Sequence, residues 1–293
     1  MTGRGKAVID DRLAFMLIGL LSVAAVAMLA SPLVTVLVRG IPALSLDFLL
    51  DAPSDAGRSG GVGPILVSTL AIVSISLLLA LPLAFAAAVL MTEVLSAESH
   101  LARVMRCSLD ILAGVPSVVF GLFGLSLFCR QLGLGYSIAS GGATLACMIL
   151  PTLTRSLVSA LHAIGTQHRL AGSALGLSRA TVLWFVTLPV ALPGIAAAIV
   201  LALTRALAET ALLLFTSGYS DRMPESVMDS GRSISVHIYE LSTNVPGGMN
   251  NAYGSALALL LLLGGLGLVL HIGTQWMLRR LTGRPAAMEG KLQ

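Results

Sequence analysis

Six apolar runs, each long enough to cross a bilayer as a helix, fix what this chain can become; they lie near 14–38, 64–91, 107–128, 138–162, 190–216 and 252–278. A helix rises about 1.5 Å per residue, so about 20 apolar residues cover the roughly 30 Å of hydrocarbon in a membrane. Polar or Gly/Pro-rich breaks separate the runs. Segments such as LALLLLLGGLGLVL and LIGLLSVAAVAMLA are apolar on every face, unlike the short alternating strands of a membrane barrel. With 56% hydrophobic residues, 11% charged residues and a mean hydropathy of +0.92, the chain is also too apolar for a water-soluble domain of its length. The sequence predicts an all-α fold: a polytopic membrane helix bundle with six transmembrane helices over 14–278, flanked by cytoplasmic tails at 1–13 and 279–293.

The first run has the basic flank of a secretory signal in Arg4, Lys6 and Arg12, with Ala-Met-Leu-Ala ending at Ala30. Its apolar stretch continues past Ser31-Pro32 to Val38, too long for a signal core, so we read it as a retained first span. Basic residues then set orientation. Arg4, Lys6, Arg12, Arg103, Arg106, Arg155, Arg169, Arg179, Arg279, Arg280, Arg284 and Lys291 fall in one set of loops and tails. Only Arg39, Arg58, Arg130, Arg222 and Arg232 fall in the other. This bias predicts a multi-pass protein of the cell inner membrane with both termini cytoplasmic and the acidic loop of Asp47, Asp51 and Asp55 outside. The net charge of +4 follows from that sidedness. No basic stripe interleaved with aromatics points to nucleic acid, so lipid is the expected surroundings.

Several chemistries find no residues to carry them. Cys107, Cys129 and Cys147 sit in or beside apolar segments without CxxC spacing and read as packing residues. The histidines at 100, 162, 168, 237 and 271 include no pair at i, i+4, so metal chemistry is not expected. There is no GxSxG elbow, and Gly5-Lys6 lacks the spacing and the following Ser or Thr of a phosphate loop. We expect a chain that is not an enzyme, holds no cofactor and does not bind ATP by itself.

The loop at 163–189, between the fourth and fifth runs, parses as a helix–turn–helix on the cytoplasmic membrane surface. Thr166 can cap a helix through Leu175, Gly176 permits a left-handed stop, and Ser178 can cap the next helix. A DNA-reading motif has the same outline, but it needs a basic recognition face that one arginine per helix does not supply. An ordinary interfacial hairpin is the plainer alternative. Spacing favours a third reading. Leu170-Ala171-Gly172, Gly176, and then Val186, Leu188 and Pro189 resemble the EAA motif of ABC importer permeases: three residues, a glycine, and an aliphatic-x-Leu-Pro ending. Leu170 stands where that motif has glutamate, and Gly172 where it has its second alanine. In that family the loop forms the coupling helix that sits in a groove of the ATPase subunit, so the resemblance implies a coupling role without a polar contact at Leu170.

Further segments are similar to phosphate-importer permeases of the PstA type: AGVPSVVFGLFG at 113–124, LPVALPGI at 188–195, RALAETALLLF at 205–215 and SVHIYELSTNVPGG at 235–248. The resemblance implies a heteromeric importer. This subunit would form the path with a second permease, above two ATP-binding subunits and below a periplasmic phosphate-binding protein.

The residues themselves add a candidate site. A charge inside a membrane helix costs about 2.5–3.5 kcal/mol on insertion scales, so Arg205 and Glu209 should face a cavity or a partner. If the fifth run is one helix, they lie about 40° apart on one face, with Arg205 roughly 22 Å along it in the outer half of the bilayer. An arginine can fork two phosphate oxygens, and a neighbouring carboxylate can accept the proton of monohydrogen phosphate while disfavouring sulfate. The alternative is an internal Arg205–Glu209 ion pair, for which Arg before Glu is the weaker order. Asp110 reads as a helix N-terminal carboxylate. Ala196-Ala197-Ala198 and the glycines of the sixth run read as close-packing positions. Pro116, Pro151 and Pro193 can break or kink their helices. The segment 217–250 is long for a simple connection, and the alternation of Ile234, Val236 and Ile238 suggests that it folds over the bundle and meets the binding protein. A related-oxyanion permease, a secondary transporter and a membrane scaffold remain as other functional readings. A secondary transporter would show repeated halves, which this sequence lacks.

Overall fold

A segment surrounded by hydrocarbon must satisfy its own amides and carbonyls, and an apolar run does so by becoming a helix. The computed structural model describes residues 3–96, 98–164 and 167–282, which are mostly helical. In chain order the helices are α1 (Gly3–Gly40), α2 (Leu46–Leu50), α3 (Gly63–Val89), α4 (His100–Gly114), α5 (Ser117–Gly124) and α6 (Ile138–His162). Then follow α7 (Gln167–Ala174), α8 (Arg179–Val182), α9 (Leu188–Leu207), α10 (Ala211–Leu214), α11 (Ile234–Thr243) and α12 (Met249–Thr282). Wide π turns extend α3 over Leu90–Val94, extend α5 over Leu125–Gln131 and join α8 to α9 over Leu183–Thr187. A two-stranded antiparallel ribbon, β1 (Pro53–Ser54) with β2 (Ser59–Gly60), lies between α2 and α3.

The core is organised around α6. Leu145, Ile149, Leu153, Leu157 and Leu161 recur every four residues, and all are fully buried. That spacing forms a single stripe along one helical face. Ala80, Ala84 and Ala88 form the same kind of stripe on α3 and join α6 and α9 in one hydrophobic cluster. Small residues bring the backbones close: a Cβ on Gly142 would lie 2.6 Å from Ile75 of α3, and one on Gly194 would lie 2.8 Å from Ala160 of α6. Close approach of this kind is how helices gain contact energy where lipid is as apolar as the side chains. α12 packs on α9 and α11, and α1 reaches the bundle through its end, where Gly40 meets Tyr253 and Leu257 and the Arg39 guanidinium lies 5.3 Å from the Tyr253 ring centre. The first helix begins at Gly3, so it runs through most of the segment read as a tail.

Among the described residues, five stretches are long and apolar enough to span singly: Phe15–Ala43, Gly63–Val94, Ile138–His162, Arg179–Leu207 and Met249–Met277. The sixth predicted span, 107–128, is not one straight helix. It straddles α4 and α5, which meet at a bend of 96°. The cause is local. Val115 precedes Pro116 and is held extended at φ −70°, ψ 129°, and Pro116 then caps α5. α4 carries His100, Arg103, Arg106 and Asp110, so it is amphipathic and unsuited to hydrocarbon, whereas α5 is apolar. Pro151 and Pro193 lie inside continuous helices, so of the three prolines only Pro116 stands at a break.

The fifth run, 190–216, is also interrupted. α9 stops at Leu207 and α10 starts at Ala211, with Thr210 at φ −118°, ψ −53° between them. Segments from one end of the bundle are tied together there: Ser137 N donates to the Thr216 carbonyl, Ile138 N to Asp229 O, and Asn251 Nδ2 to Gly57 O, at 2.9 to 3.1 Å. We call this end the cap. The opposite end holds the α3 π turn, the close of α6 and the α7–α8 hairpin.

Candidate functional site

At the non-cap end, the hairpin forms as its capping residues dictate. Gly176 adopts φ 69°, and the Leu177 amide reaches the Gly172 carbonyl at 3.1 Å, the 6→1 bond of a Schellman stop. Ser178 Oγ then accepts the Thr181 amide at 3.1 Å to start α8. The expected cap at Thr166 lies outside the described residues. Gly172 has a steric role: a Cβ there would sit 2.5 Å from Val182 Cγ2, so the missing side chain lets α7 and α8 cross. Leu170 and Ala171 face outward, Leu170 at 66% exposure, with Leu175 more open still. Leu188 and Pro189 lie where the second arm enters α9, half-buried. Pro189 has no amide for the Phe185 carbonyl, and the π turn at 183–187 ends two residues before it, at Thr187. Hairpin and span are therefore one continuous body, with exposed Trp184 and Phe185 along the junction.

Asp110 does not serve a helix N-terminus. Ser99 caps α4 by accepting the Ala102 amide at 3.2 Å, and Asp110 sits near the far end, where it hydrogen-bonds Arg155 Nη2 of α6. Arg155, counted from sequence with the cytoplasmic loops although the predicted run 138–162 contains it, belongs to α6 and holds the amphipathic α4 beside it.

Toward the cap, Arg205 occupies the last turn of α9, seventeen residues past Leu188 and roughly 26 Å along the axis. It is exposed, while its neighbours Ala202 and Ala206 are buried. Glu209 is half-buried and lies beyond the helix end, so the two charges do not share one helical face as an unbroken run would give. Among the described residues they form no ion pair with each other. The Glu209 amide donates to Ala206 O at 3.3 Å, and its carbonyl accepts from Ser235 Oγ of α11 at 2.6 Å. A cleft of about 530 Å³ runs between α9 and α12; Pro193, Ala196, Ala197, Val200 and Leu201 make it mostly apolar, Thr204 lines it on α9 and His271, Thr274 and Gln275 on α12, and Arg205 follows Thr204 without lining it.

The segment 217–250 folds over the bundle as α11, which packs on α12, α3 and α10. Ile234 and Val236 are fully buried, but in a helix rather than an alternating strand. The same helix buries His237. Its Nδ1 lies 3.5 Å from Arg232 Nη1, and since a guanidinium only donates, Nδ1 accepts and the ring proton sits on Nε2. Arg232 also donates twice to the Tyr219 carbonyl, at 3.0 and 2.7 Å. Burial lowers the His237 pKa to about 4; the Arg232 charge acts in the same direction and Asp221 opposes it. Burial also raises the Tyr219 hydroxyl, helped by Glu240. Ser235 and His237 escaped sequence reading; the available signal was Ser233, whose hydroxyl caps α11 two residues before Ser235. Among the described residues no cluster of His, Cys, Asp or Glu is arranged to hold a metal ion.

Comparison with known proteins gives the arrangement a family. Residues 80–283 match the family described as the binding-protein-dependent transport system inner membrane component. The chain is 28% identical over 284 residues to the probable ABC transporter permease protein YqgI of Bacillus subtilis (strain 168), covering 92% of this chain and 95% of that protein. It is 32% identical over 205 residues to the phosphate transport system permease protein PstA 1 of Mycobacterium tuberculosis (strain CDC 1551 / Oshkosh), covering 69% of this chain and 67% of the relative. In fold it is similar to a chain from the crystal structure of a bacterial ABC transporter involved in the import of the acidic polysaccharide alginate, with a TM-score of 0.62 at 15% identity over 94% of this chain and 98% of that one. The matched family segment contains the hairpin, the α9 break and α11. The chain therefore belongs to the family of binding-protein-dependent transport system inner membrane components, the permeases of ABC importers.

Proposed function

We propose that this chain is a permease subunit of an ATP-driven importer for inorganic phosphate. It forms the path with a second permease above two ATP-binding subunits, and its loop at 163–189 docks on one of them through Leu170, Ala171 and neighbouring apolar residues. The chain carries no cofactor and hydrolyses nothing itself. The non-cap end lies in the cytoplasm of the inner membrane, and the cap faces a phosphate-binding protein outside. The observation that carries the reading is Arg205: an exposed side chain in the last turn of a membrane helix, near the cap and unpaired with Glu209. A charge within a membrane span usually faces a cavity or an oppositely charged partner. The guanidinium forks two phosphate oxygens, and the Glu209 carboxylate accepts the remaining proton of monohydrogen phosphate, which sulfate lacks. Relatives named as phosphate permeases support that choice of anion.

The test is radiolabelled phosphate uptake in cells lacking this gene, complemented with the unaltered chain or with Arg205→Gln at equal membrane levels. The expected outcome is uptake restored only by the unaltered chain and competed by phosphate but not by sulfate. Equal uptake in deleted and complemented cells, with the partner subunits present, refutes phosphate as the cargo. Preferential competition by phosphite or a phosphonate reassigns the chain to that oxyanion.

A further inference from the structure

The break at 208–210 has a lateral support. Ser235, almost fully buried, donates its hydroxyl to the Glu209 carbonyl at 2.6 Å across 26 positions of sequence. Ser235 Oγ also lies 3.0 Å from Ser233 Oγ, the hydroxyl that caps α11 by accepting the Val236 amide at 3.3 Å. Between these serines, the Ile234 amide donates to Thr69 Oγ1 of α3 at 2.9 Å, and that hydroxyl donates onward to the Ile65 carbonyl at 2.6 Å. Ser233, Ile234, Ser235 and Thr69 are all buried, so water does not compete for these bonds. The first turn of α11 is thus fastened to α3 on one side and to Glu209 on the other.

The position of that second bond matters. In the break between α9 and α10, the Glu209 carbonyl has no helical turn after it to supply an amide. At Glu209 the Ser235 hydroxyl takes that amide's place and fixes the direction in which the backbone leaves α9. The backbone direction in turn sets where the Glu209 side chain projects. Arg205 has no such tie: it sits in the last helical turn, held by the buried Ala202 and Ala206. Displacement of α11 therefore moves Glu209 relative to Arg205.

We infer that Ser235 is a positioning residue, linking the cap helix α11 to Glu209 so that the placement of the cap sets the spacing between the Glu209 carboxylate and the Arg205 guanidinium during anion transfer. This rests on the reading of Arg205 and Glu209 as the anion site. The test is the initial rate of phosphate uptake against external phosphate in complemented cells at equal membrane levels, comparing Ser235→Ala, Ser235→Thr, Glu209→Gln and the Ser235→Ala/Glu209→Gln double variant. Ser235→Ala is expected to lower the maximal rate about tenfold, the factor one hydrogen bond carries, with the half-saturating phosphate concentration unchanged. Ser235→Thr, which keeps the hydroxyl, should retain most of the rate, and the double variant should be no worse than Glu209→Gln. Wild-type rates in Ser235→Ala, equal losses in the Thr and Ala variants, or additive losses in the double variant would each overturn the inference. An impaired Glu209→Gln beside an unaffected Ser235→Ala removes the inference alone. A silent Glu209→Gln removes the anion-site reading and the inference with it.

Discussion

Acidification should loosen the cap through His237. The ring is 1% exposed, and its pKa of about 4 lies well below the ordinary histidine value of 6.5. An opened cap, with the ring in water, takes up a proton through the whole interval between those values, while the closed cap refuses it. The closed state is therefore favoured fully above about pH 6.5, and that advantage is lost as pH falls toward 4. Each pH unit inside the interval is worth about 1.4 kcal/mol, so going from pH 7 to pH 5 should cost about 2 kcal/mol, or roughly 30-fold in the opening equilibrium. The charges that act on the ring are those of Arg232, which opposes its protonation, and Asp221, which favours it. Hydrogen exchange of the amides at 216–243, in purified protein and corrected for the intrinsic pH dependence of exchange, reads the opening directly. His237→Asn, whose side-chain oxygen can still accept from Arg232, should flatten the response. Equal protection at pH 7 and pH 5 in the unaltered chain, or the same fall in His237→Asn, would refute the reasoning.

Two further outcomes follow from packing and charge. Gly124→Ala puts a Cβ 2.2 Å from Thr144 Oγ1 and 2.8 Å from Thr144 Cβ, a clash that side-chain rotation cannot relieve; it should cost about 1–3 kcal/mol in thermal unfolding in detergent and be partly recovered by Thr144→Ala. Asp110→Asn removes the charge from the pairing with Arg155, but the Asp110 and Arg155 side chains are 68% and 43% exposed, so the loss should stay below about 1 kcal/mol and shrink further in high salt.

Which parts of this protein were legible in its sequence follows from how far each determining interaction reaches along the chain. The long helices were predictable because hydrocarbon forces each segment to satisfy its own backbone, and α3, α6 and α12 fall close to the predicted runs. The hairpin was predictable for a similar reason: Gly176 and Ser178 act on amides within five residues of themselves. The bend at Val115-Pro116 is local too, but an apolar average over 107–128 hid it, and the charges of α4 were the better guide. Nothing local announced that α9 ends at Leu207, and the hydroxyl that donates to the Glu209 carbonyl beyond it comes from 26 residues further on. The Asp110–Arg155 pairing, across 45 residues, and the burial of His237 were equally out of reach. The sequence by itself determined that this chain crosses a membrane as helices with a capped hairpin between two of them. Only the tertiary structure decided how α9 breaks and where its charges face, because those depend on contacts between segments that no local pattern encodes.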